Sequence, residues 1–546
     1  MYTRITRSGG RSYLQIVEGF RTEAGVRQRV LANLGRIDQL DGKKLDPLIN
    51  GLQRALGRAP ETVPTPHFES ALAFGDVYAL HGLWNELGLG DAVRRALRSS
   101  RRQFDAEALV RAMVFNRLCA PDSKLGCLDW LQTVAIPGMP EAITHDQLLR
   151  TMDALMDRAG KLEEQVGMLL RPMLDQQLSV VFYDLTTVRI HGVGQVAEDV
   201  RAYGMNKQTG GIARQFVLGL VQSAEGLPLM HTVHAGNVAE TKTLQTMLAQ
   251  VLGRFPVERV ILVADRGLLS LDNIAQLTAL ATQSKRTLQF ILAVPARRYD
   301  ELGDTLAAMD FTAGLAEGRF AGHRLVVAHD PQRAAEQSAR RKARIAELEA
   351  FADTLVHKLD AQDEGISERG RRASDRGAYS RFARAVAQAE LTRFIKPRYD
   401  ADRFSWDIDE AAIARAETFD GKLVLLSNVE DFGAAKIVER YKSLADIEHG
   451  FRVLKNDIDI APVYHRLPDR IRAHALICFL ALLLYRVMRM RLKQHGSAHS
   501  PKTAMAILRR LQKHQVTIGG QRLQGIGTPT PSQRQLFEDL VLKAPA

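Results

Sequence analysis

Cysteine is scarce in this sequence. The chain has 546 residues and three cysteines, Cys119, Cys127 and Cys478, none of which lies in a Cys-x-x-Cys pair. A small, odd set of this kind excludes a disulfide framework and the common zinc-binding spacings. We therefore expect a protein of a reducing compartment, the cytoplasm.

Long apolar runs and nucleotide-binding motifs are also missing. The longest apolar run, Ala475–Tyr485, is too short to span a bilayer and predicts a buried helix instead. The N-terminus lacks the apolar segment of a signal peptide. No Gly-x4-Gly-Lys-Ser/Thr motif occurs, and no Gly-x-Gly-x-x-Gly follows a strand pattern, which disfavours P-loop and Rossmann enzymes.

Positive charge is in excess. The sequence has 74 Lys and Arg against 62 Asp and Glu, a net charge of +12. Such an excess is compatible with a polyanionic partner, usually DNA or RNA, although a merely basic protein is the alternative. The length predicts roughly three or four domains.

The first 175 residues show two patterns. Alternation predicts two strands, Ser12–Phe20 and Val26–Leu34, and hence a small basic β-hairpin module over residues 1–60. A proline-rich linker over 60–66 leads to a helical domain at 67–175, which we expect to bind DNA. A cluster of arginines with no acidic residue among them suggests contacts with phosphates. The alternative is that these arginines form a solvated face. Its members are Arg94, Arg95, Arg98, Arg101 and Arg102.

From residue 178 the pattern changes to strands followed by helices. Strands are predicted at Leu178–Asp184, Gln215–Gln222 and Leu229–Ala235, followed by a helix and the strand Val257–Asp265. This order, antiparallel strands and then a parallel strand flanked by helices, indicates an α/β fold with an RNase H-like core.

The predicted core is interrupted. It occupies 176–296 and 433–492, and an α+β insertion subdomain occupies 297–432. Residues 493–546 are predicted to form a polar helical tail. The predicted fold is therefore a mixed sheet with flanking helices, preceded by a helical N-terminal DNA-binding region.

Two carboxylates follow apolar strands. Asp184 comes after Val180–Tyr183, and Asp265 comes after Val260–Ala264, so both are predicted at or near strand ends. A carboxylate beside apolar neighbours is costly unless it meets a cation or hydrogen-bond donors. The alternative is that each simply caps a strand or the following helix.

A third carboxylate lies in a predicted helix running from Tyr441 to Lys455. Tyr441, Glu448 and Lys455 are seven residues apart and therefore share one stripe of that helix. Glu448 lies at the edge of an apolar stripe, where a glutamate is ordinarily solvated. That stripe is Ile447, Phe451, Leu454 and Ile458. Three carboxylates from two strands and a helix can form a site for two divalent metals.

Together these motifs resemble the DDE transposases of bacterial insertion sequences, in the branch marked by Tyr-x2-Arg-x3-Glu-x6-Lys. Tyr441, Glu448 and Lys455 match this signature, whereas Leu444 stands at the arginine position, with Arg440 or Arg452 as candidate substitutes. The segments 183–187, 234–237 and 265–267 are also similar to family motifs. The resemblance covers roughly 175–490. Asp265 lies 81 positions after Asp184, and Glu448 lies 183 positions after Asp265.

The resemblance implies a function. The protein is expected to bind the ends of an insertion sequence as a homodimer, to cleave the DNA, and to join the freed 3′-OH to target DNA. Asp184, Asp265 and Glu448 would hold two Mg²⁺ ions, for which Mn²⁺ can substitute. Contacts with DNA phosphates are expected from Tyr441, Lys455, Arg266 and Arg452. The alternatives are an RNase H-like nuclease without strand transfer and an inactive DNA-binding relative.

Overall fold

The computed structural model divides into two units. One comprises Met1–Ser70 with His514–Gly525, and the other comprises Ala71–Lys513 with Ile526–Ala546. The structure describes all residues except 24, 41, 58–64, 99–103, 174–178, 193–198, 207–209, 239, 256–258, 265–286, 295–298, 300, 312–313, 321, 367–371 and 546. Most of the predicted proline-rich linker therefore lies outside the described residues.

The N-terminal strands form a three-stranded antiparallel sheet. Its strands are β1 (Tyr2–Ser8), β2 (Arg11–Thr22) and β3 (Gly25–Arg36), in the order β1-β2-β3. The prediction of two strands was incomplete because β1 also pairs with β2, from Tyr2 opposite Val17 to Ser8 opposite Arg11. Helix α1 (Gly42–Ala55) and strand β4 (His67–Ala73) follow.

A group of α-helices follows β4. They are α2 (Gly75–Glu86), α3 (Leu89–Ala96), α4 (Ala106–Cys119), α5 (Lys124–Leu131), α6 (His145–Asp157) and α7 (Ala159–Leu170). Side-chain caps start three of them: Asp105, Ser123 and Thr144 each accept a hydrogen bond from the first turn of the helix that follows. Helix α4 is buried along nearly its whole length and therefore forms the centre of this helical group.

The central part of the chain supplies most of a large sheet. Its first elements are β5 (Ser179–Arg189), β6 (Ala202–Met205), β7 (Ile212–Ser223), β8 (Pro228–Ala235), α8 (Glu240–Arg254), β9 (Arg259–Ala264) and β10 (Thr287–Ala293). They are followed by α9 (Gly303–Ala307), β11 (Leu315–Phe320), β12 (His323–His329), α10 (Pro331–Asp363), α11 (Asp375–Gln388), β13 (Ile395–Asp400), β14 (Arg403–Ile408), α12 (Glu410–Glu417) and β15 (Lys422–Ser427).

Nine of these strands form one mixed sheet. Its order is β11-β12-β15-β10-β9-β5-β7-β6, and β8 also pairs with β7. Strands β5, β9 and β10 are parallel to one another, whereas β7 and β8 run antiparallel to their neighbours. The predicted α/β class, a mixed sheet with flanking helices, is confirmed.

The predicted insertion is only partly separate from the core. Strands β11, β12 and β15 extend the central sheet, because β15 pairs with both β10 and β12. Among the described residues, α10, α11, the β13–β14 hairpin and α12 form a second apolar core around Phe382, Ile395 and Phe404. Sequence patterns cannot show that a strand after a long helix returns to the first sheet, because the pairing is non-local.

The C-terminal region begins with α13 (Ala434–Lys442), α14 (Ala445–Asn456) and α15 (Pro468–Gln494). It ends with α16 (Pro501–Leu508), β16 (Gln512–Ile518), β17 (Gln521–Ile526) and α17 (Pro531–Asp539). The predicted polar helical tail was therefore wrong in part, because β16 and β17 form a hairpin that pairs with β4. The tail also buries apolar side chains, including Leu508, Leu536 and Phe537.

Helix α15 contains the long apolar run. By length and composition alone, this helix of 27 residues could cross a membrane, but 94% of its apolar window is buried inside the protein. The core helix of a globular protein has the same properties. The prediction that Ala475–Tyr485 forms a buried helix is confirmed.

Candidate active site

Asp184 lies in the middle of β5, not at or near the end of a strand as predicted. The strand continues through Arg189, since Thr186, Thr187 and Val188 pair with β7 from Phe216 to Leu218. Asp184 is half-buried between the buried residues Tyr183 and Leu185. One carboxylate oxygen, Oδ1, accepts a hydrogen bond of 2.7 Å from the Leu185 N–H, which restrains the side chain.

The strand next to β5 leads towards the second predicted aspartate. Strands β5 and β9 are parallel, and Tyr183 pairs with Ala264. The residue that precedes Asp184 in the sequence is thus paired with the residue that precedes Asp265. Asp265 itself, like Arg266, lies outside the described residues.

The helix that carries Glu448 covers the Asp184 face of the sheet. Helix α14 packs against β5, and a Cβ added at Gly450 would lie 2.4 Å from the Nε2 atom of Gln222 on β7. Gln222 pairs with Phe182, and Phe182 and Asp184 share one face because side chains alternate along a strand. Glu448, two residues before Gly450, is exposed.

The predicted single helix from Tyr441 to Lys455 was wrong. It is interrupted at Ser443 and Leu444, where the Leu444 N–H donates to the Tyr441 carbonyl at 3.0 Å, a three-residue spacing. Tyr441 therefore belongs to α13, whereas Glu448 and Lys455 belong to α14. Heptad arithmetic places two side chains on one stripe only within an uninterrupted helix.

The apolar stripe of α14 is buried as predicted. Ile447, Phe451, Leu454 and Ile458 are each no more than 6% exposed. Leu444, at the position of the signature arginine, is also buried, so its side chain faces the core. Of the two candidate substitutes, Arg452 is exposed and Arg440 is half-buried.

The segment after α14 is joined to the end of β5. Val463 forms a parallel bridge with Ile190, and its carbonyl accepts a hydrogen bond of 2.9 Å from the His191 N–H. The Val463 N–H donates to the Arg189 carbonyl at 3.2 Å. These bonds connect the strand of Asp184 to the chain that follows the Glu448 helix. Sequence reasoning missed this connection, which no local pattern signals.

Two buried polar side chains lie close to Gly450. Gln222 is fully buried, and within the described part of the chain neither amide atom of its side chain has a hydrogen-bond partner. The Arg486 side chain of α15 is also buried, and its Nη2 atom would lie 3.1 Å from a Cβ at Gly450. Sequence reasoning missed both residues, because they stand in strand and helix segments that are otherwise apolar.

The arginine cluster is only partly described. Arg94 and Arg95 on α3 and Arg98 just after it are exposed, while Arg101 and Arg102 lie outside the described residues. The run itself contains no acid, but Arg94 contacts carboxylates that lie outside it, on two helices. Its guanidinium lies 2.8 Å from Asp91 and 3.3 Å from Glu107.

The described residues give only part of the predicted metal site. Among them, no group of three or more His, Cys, Asp or Glu side chains forms a metal-binding cluster. The two predicted ligands that are described, Asp184 and Glu448, offer carboxylate oxygens, which hard divalent cations such as Mg²⁺ prefer. The available donors therefore fit Mg²⁺ in chemical type.

Comparisons with known proteins cover most of the chain. Residues 175–484 match the family model described as the transposase DDE domain. Residues 2–63 match the model of the N-terminal domain of IS1634 family transposases. The comparison with curated proteins gave no match. Because the first model covers more than half of the sequence, the chain belongs to the DDE transposases of insertion sequences.

Proposed function

We propose that this protein is a cut-and-paste DNA transposase whose active site contains Asp184, Asp265 and Glu448. The observation that carries the proposal is the pairing of Tyr183 with Ala264, the residues that precede the two aspartates. Helix α14, which carries Glu448, packs against β5 on the Asp184 face. We also propose an RNase H-like core, supported by the sheet order β8-β7-β5-β9-β10 with its last three strands parallel.

The proposed site would hold two Mg²⁺ ions between Asp184, Asp265 and Glu448. Bound there, they would supply an activated water and a neutralised leaving oxygen. The chain's own contribution is to orient the ligands: the Leu185 N–H restrains the Asp184 carboxylate. Water attack on a phosphodiester forms one P–O bond and breaks another, which frees a 3′-OH. That hydroxyl then forms a P–O bond with a target phosphate and displaces the 3′ oxygen of the target strand, which leaves as a hydroxyl. No covalent enzyme intermediate is needed.

Further residues and modules are proposed to contact DNA. Lys455, on the same helix as Glu448, would bind a phosphate as a point charge, and Tyr441, Arg266 and Arg452 would make further phosphate contacts. The modules at 1–60 and 67–175, including the arginine cluster, would bind the ends of the element. A homodimer in the cytoplasm would hold both ends together.

The test uses duplex DNA carrying the inverted repeats that flank the gene. Asp184→Asn, Asp265→Asn and Glu448→Gln should each reduce Mg²⁺-dependent cleavage at least ~100-fold, because each removes a charged ligand. DNA binding should stay close to that of the unmodified protein. Glu347→Gln, an exposed change on α10, is the matched control and should cleave normally. Cleavage that survives in any of the three variants would overturn the assignment.

A strand-transfer assay separates the transposase from a simple nuclease. A duplex already cut at the 3′ end is mixed with plasmid DNA and Mg²⁺. The proposal expects the labelled end to become joined to the plasmid, and Asp184→Asn to prevent it. Cleavage without joining would instead identify a nuclease that lacks strand transfer.

A further inference from the structure

A large cavity lies between the insertion and the C-terminal helices of the core. Its volume is about 1220 Å³, above the range of roughly 300–1,000 Å³ that is usual for small-molecule sites. Helix α10 forms one wall, and Glu439, Lys442 and Ser443 at the end of α13 form another. The cavity therefore borders the chain that leads directly into the Glu448 helix.

The lining of this cavity, the α10 cavity, is strongly cationic. Among the described residues, seven cationic side chains face three carboxylates. The cations are Arg333, Arg340, Arg341, Arg344, Arg393, Lys422 and Lys442. Each carboxylate has a partner: Asp330 caps α10, Asp420 Oδ1 pairs with Arg341 at 2.5 Å, and Glu439 pairs with Lys436 at 2.9 Å. Among the described carboxylate oxygens of this lining, only Asp420 Oδ2 is buried without a hydrogen-bond partner, and seven cations still outnumber three carboxylates. Positive charge thus remains for a ligand.

Four lining residues of α10 form a stripe along the helix. Arg333, Gln337, Arg340 and Arg344 are spaced by four, three and four residues, so they lie on one side. Arg340 and Arg344 are four residues apart and carry like charges that repel one another, which favours a bound anion. The stripe is about 16 Å long, the axial length of about five nucleotides in one duplex strand. A polymer matches this length better than a free nucleotide does.

Arg341 offers a second sign of a ligand. Its side chain is 12% exposed, and among the described residues its Nη1 atom has no hydrogen-bond partner. The guanidinium lies over the Phe394 ring at 5.5 Å, and Tyr299 packs against Phe419 at 5.5 Å. These rings are occupied by contacts within the protein. The cavity therefore offers charge more than free stacking surfaces, which suits backbone phosphates.

We propose that the α10 cavity binds the phosphate backbone of a DNA strand outside the carboxylate site. The inference rests on the proposed function only in that its ligand is DNA. Contacts of this kind position DNA without reading its sequence. A strand held there would lie beside the junction of α13 and α14, next to the helix of Glu448.

The test removes two exposed arginines of the stripe. Arg340→Gln with Arg344→Gln is compared with Arg381→Gln with Arg384→Gln, two exposed arginines on α11 that do not line the cavity. Affinity for a random duplex is measured over a series of salt concentrations. If each arginine contacts one phosphate, the salt slope should fall by about 1.8 in the cavity variant. The α11 variant should keep the original slope.

The outcomes separate this inference from the proposed function. Equal slopes for the cavity variant and the unmodified protein would overturn the cavity proposal while leaving the transposase assignment intact. Failure of the unmodified protein to bind any duplex, including one with the flanking inverted repeats, would count against both. A parallel titration with ATP tests whether the cavity binds the phosphates of a nucleoside triphosphate instead of those of DNA. The contrary outcome is that the unmodified protein binds ATP while the cavity variant does not, with the same salt slope for DNA binding in both. That result would identify a nucleotide site and overturn the DNA proposal.

Discussion

The two faces of the sheet around β5 and β7 differ in what covers them. On one face, Tyr183 lies beside Gly219, and the Tyr183 hydroxyl donates to Thr243 of α8 at 3.0 Å. On the other face lie Asp184, Gln222 and His231, beneath α14 and α15. The first face joins sheet and helix by close packing, whereas the second keeps several buried or half-buried polar groups.

This difference predicts that changes on one face affect mainly stability and changes on the other affect mainly activity. Buried polar groups that lack partners are costly, and a fold retains them where they serve a site. Changes on the Tyr183 face should therefore act mainly on the free energy of unfolding. Changes on the Asp184 face should act mainly on cleavage.

The largest effect on stability is expected from Gly219→Ala. The added Cβ would lie 2.3 Å from Thr232 Oγ1 and 2.8 Å from Tyr183 Oη, so the strand or the tyrosine must move. We expect a loss of about 3 kcal/mol in the free energy of unfolding, the upper part of the usual range for overpacking. Urea unfolding measures it. Gly525→Ala on β17, where a Cβ meets nothing within 4 Å, is the control. A loss no larger than the control's would show that this face is loosely packed.

Gly450→Ala tests the opposite face. Its Cβ would lie 2.4 Å from the amide of the buried Gln222 side chain, so either this side chain must move or α14 must lift from the sheet and carry Glu448 with it. A displacement of about 1 Å at a reacting centre can cost ~100-fold, and we expect the cleavage rate to fall 10- to 100-fold. The unfolding midpoint should change less than it does for Gly219→Ala.

A rescue variant makes this test specific. Gln222→Ala removes the clashing amide, so the double variant with Gly450→Ala should recover much of the cleavage rate. Gly167→Ala on α7, where a Cβ meets nothing within 4 Å, controls for the helical glycine itself. If the double variant stays as slow as Gly450→Ala alone, the close approach of α14 does not set the position of Glu448.

Sequence patterns predicted which segments of this sheet are buried better than they predicted where those segments end. The apolar runs before Asp184 and Asp265 predicted two strands, and β5 and β9 occupy those positions. The strand was expected to end near Asp184 because a carboxylate interrupts the apolar run. It continues because the β-branched residues Thr186, Thr187 and Val188 pair with β7. A local pattern cannot show that pairing.

The helix predicted from Tyr441 to Lys455 shows the same limit of local patterns. Its apolar stripe was predicted correctly from the spacing of Ile447, Phe451 and Leu454, because burial follows helical periodicity over a few turns. The interruption at Ser443 and Leu444 was not predicted, because both residues keep right-handed helical dihedral angles and only the hydrogen bonds change. The contact of Gly450 with Gln222 also depends on tertiary packing, which the sequence of the helix does not specify.

The pH dependence of stability depends on a histidine of the Asp184 face. Burial lowers the pKa of His231, which stacks on Phe479 at 4.9 Å, to about 4. The unfolded chain binds this proton near pH 6.5, so this stability is present above pH 6.5 and is lost as pH falls towards 4. Between pH 7 and pH 5 the expected loss from this residue is about 2 kcal/mol. His231→Phe should reduce the loss measured by urea unfolding by that amount.

The exposed His499 provides the control for this measurement. His499→Phe should leave the difference between pH 7 and pH 5 as it is in the unmodified protein. A difference in His231→Phe equal to that in the control would mean that His231 takes up its proton in the folded state without strain. Water would then reach the Asp184 face more readily than its packing indicates.

The smallest expected effect is that of Tyr183→Phe, which removes one hydrogen bond from the well-packed face. The Tyr183 side chain is fully buried, and its hydroxyl donates to Thr243 Oγ1. We expect a loss of about 1 kcal/mol in the free energy of unfolding, with the cleavage rate unchanged at temperatures below the unfolding transition. Thr243→Val should cost a similar amount, and the double variant should cost less than the sum, because the two residues share the bond. A fall in cleavage of 10-fold or more without a change in stability would mean that Tyr183 serves the site directly, and the division between the two faces would not hold.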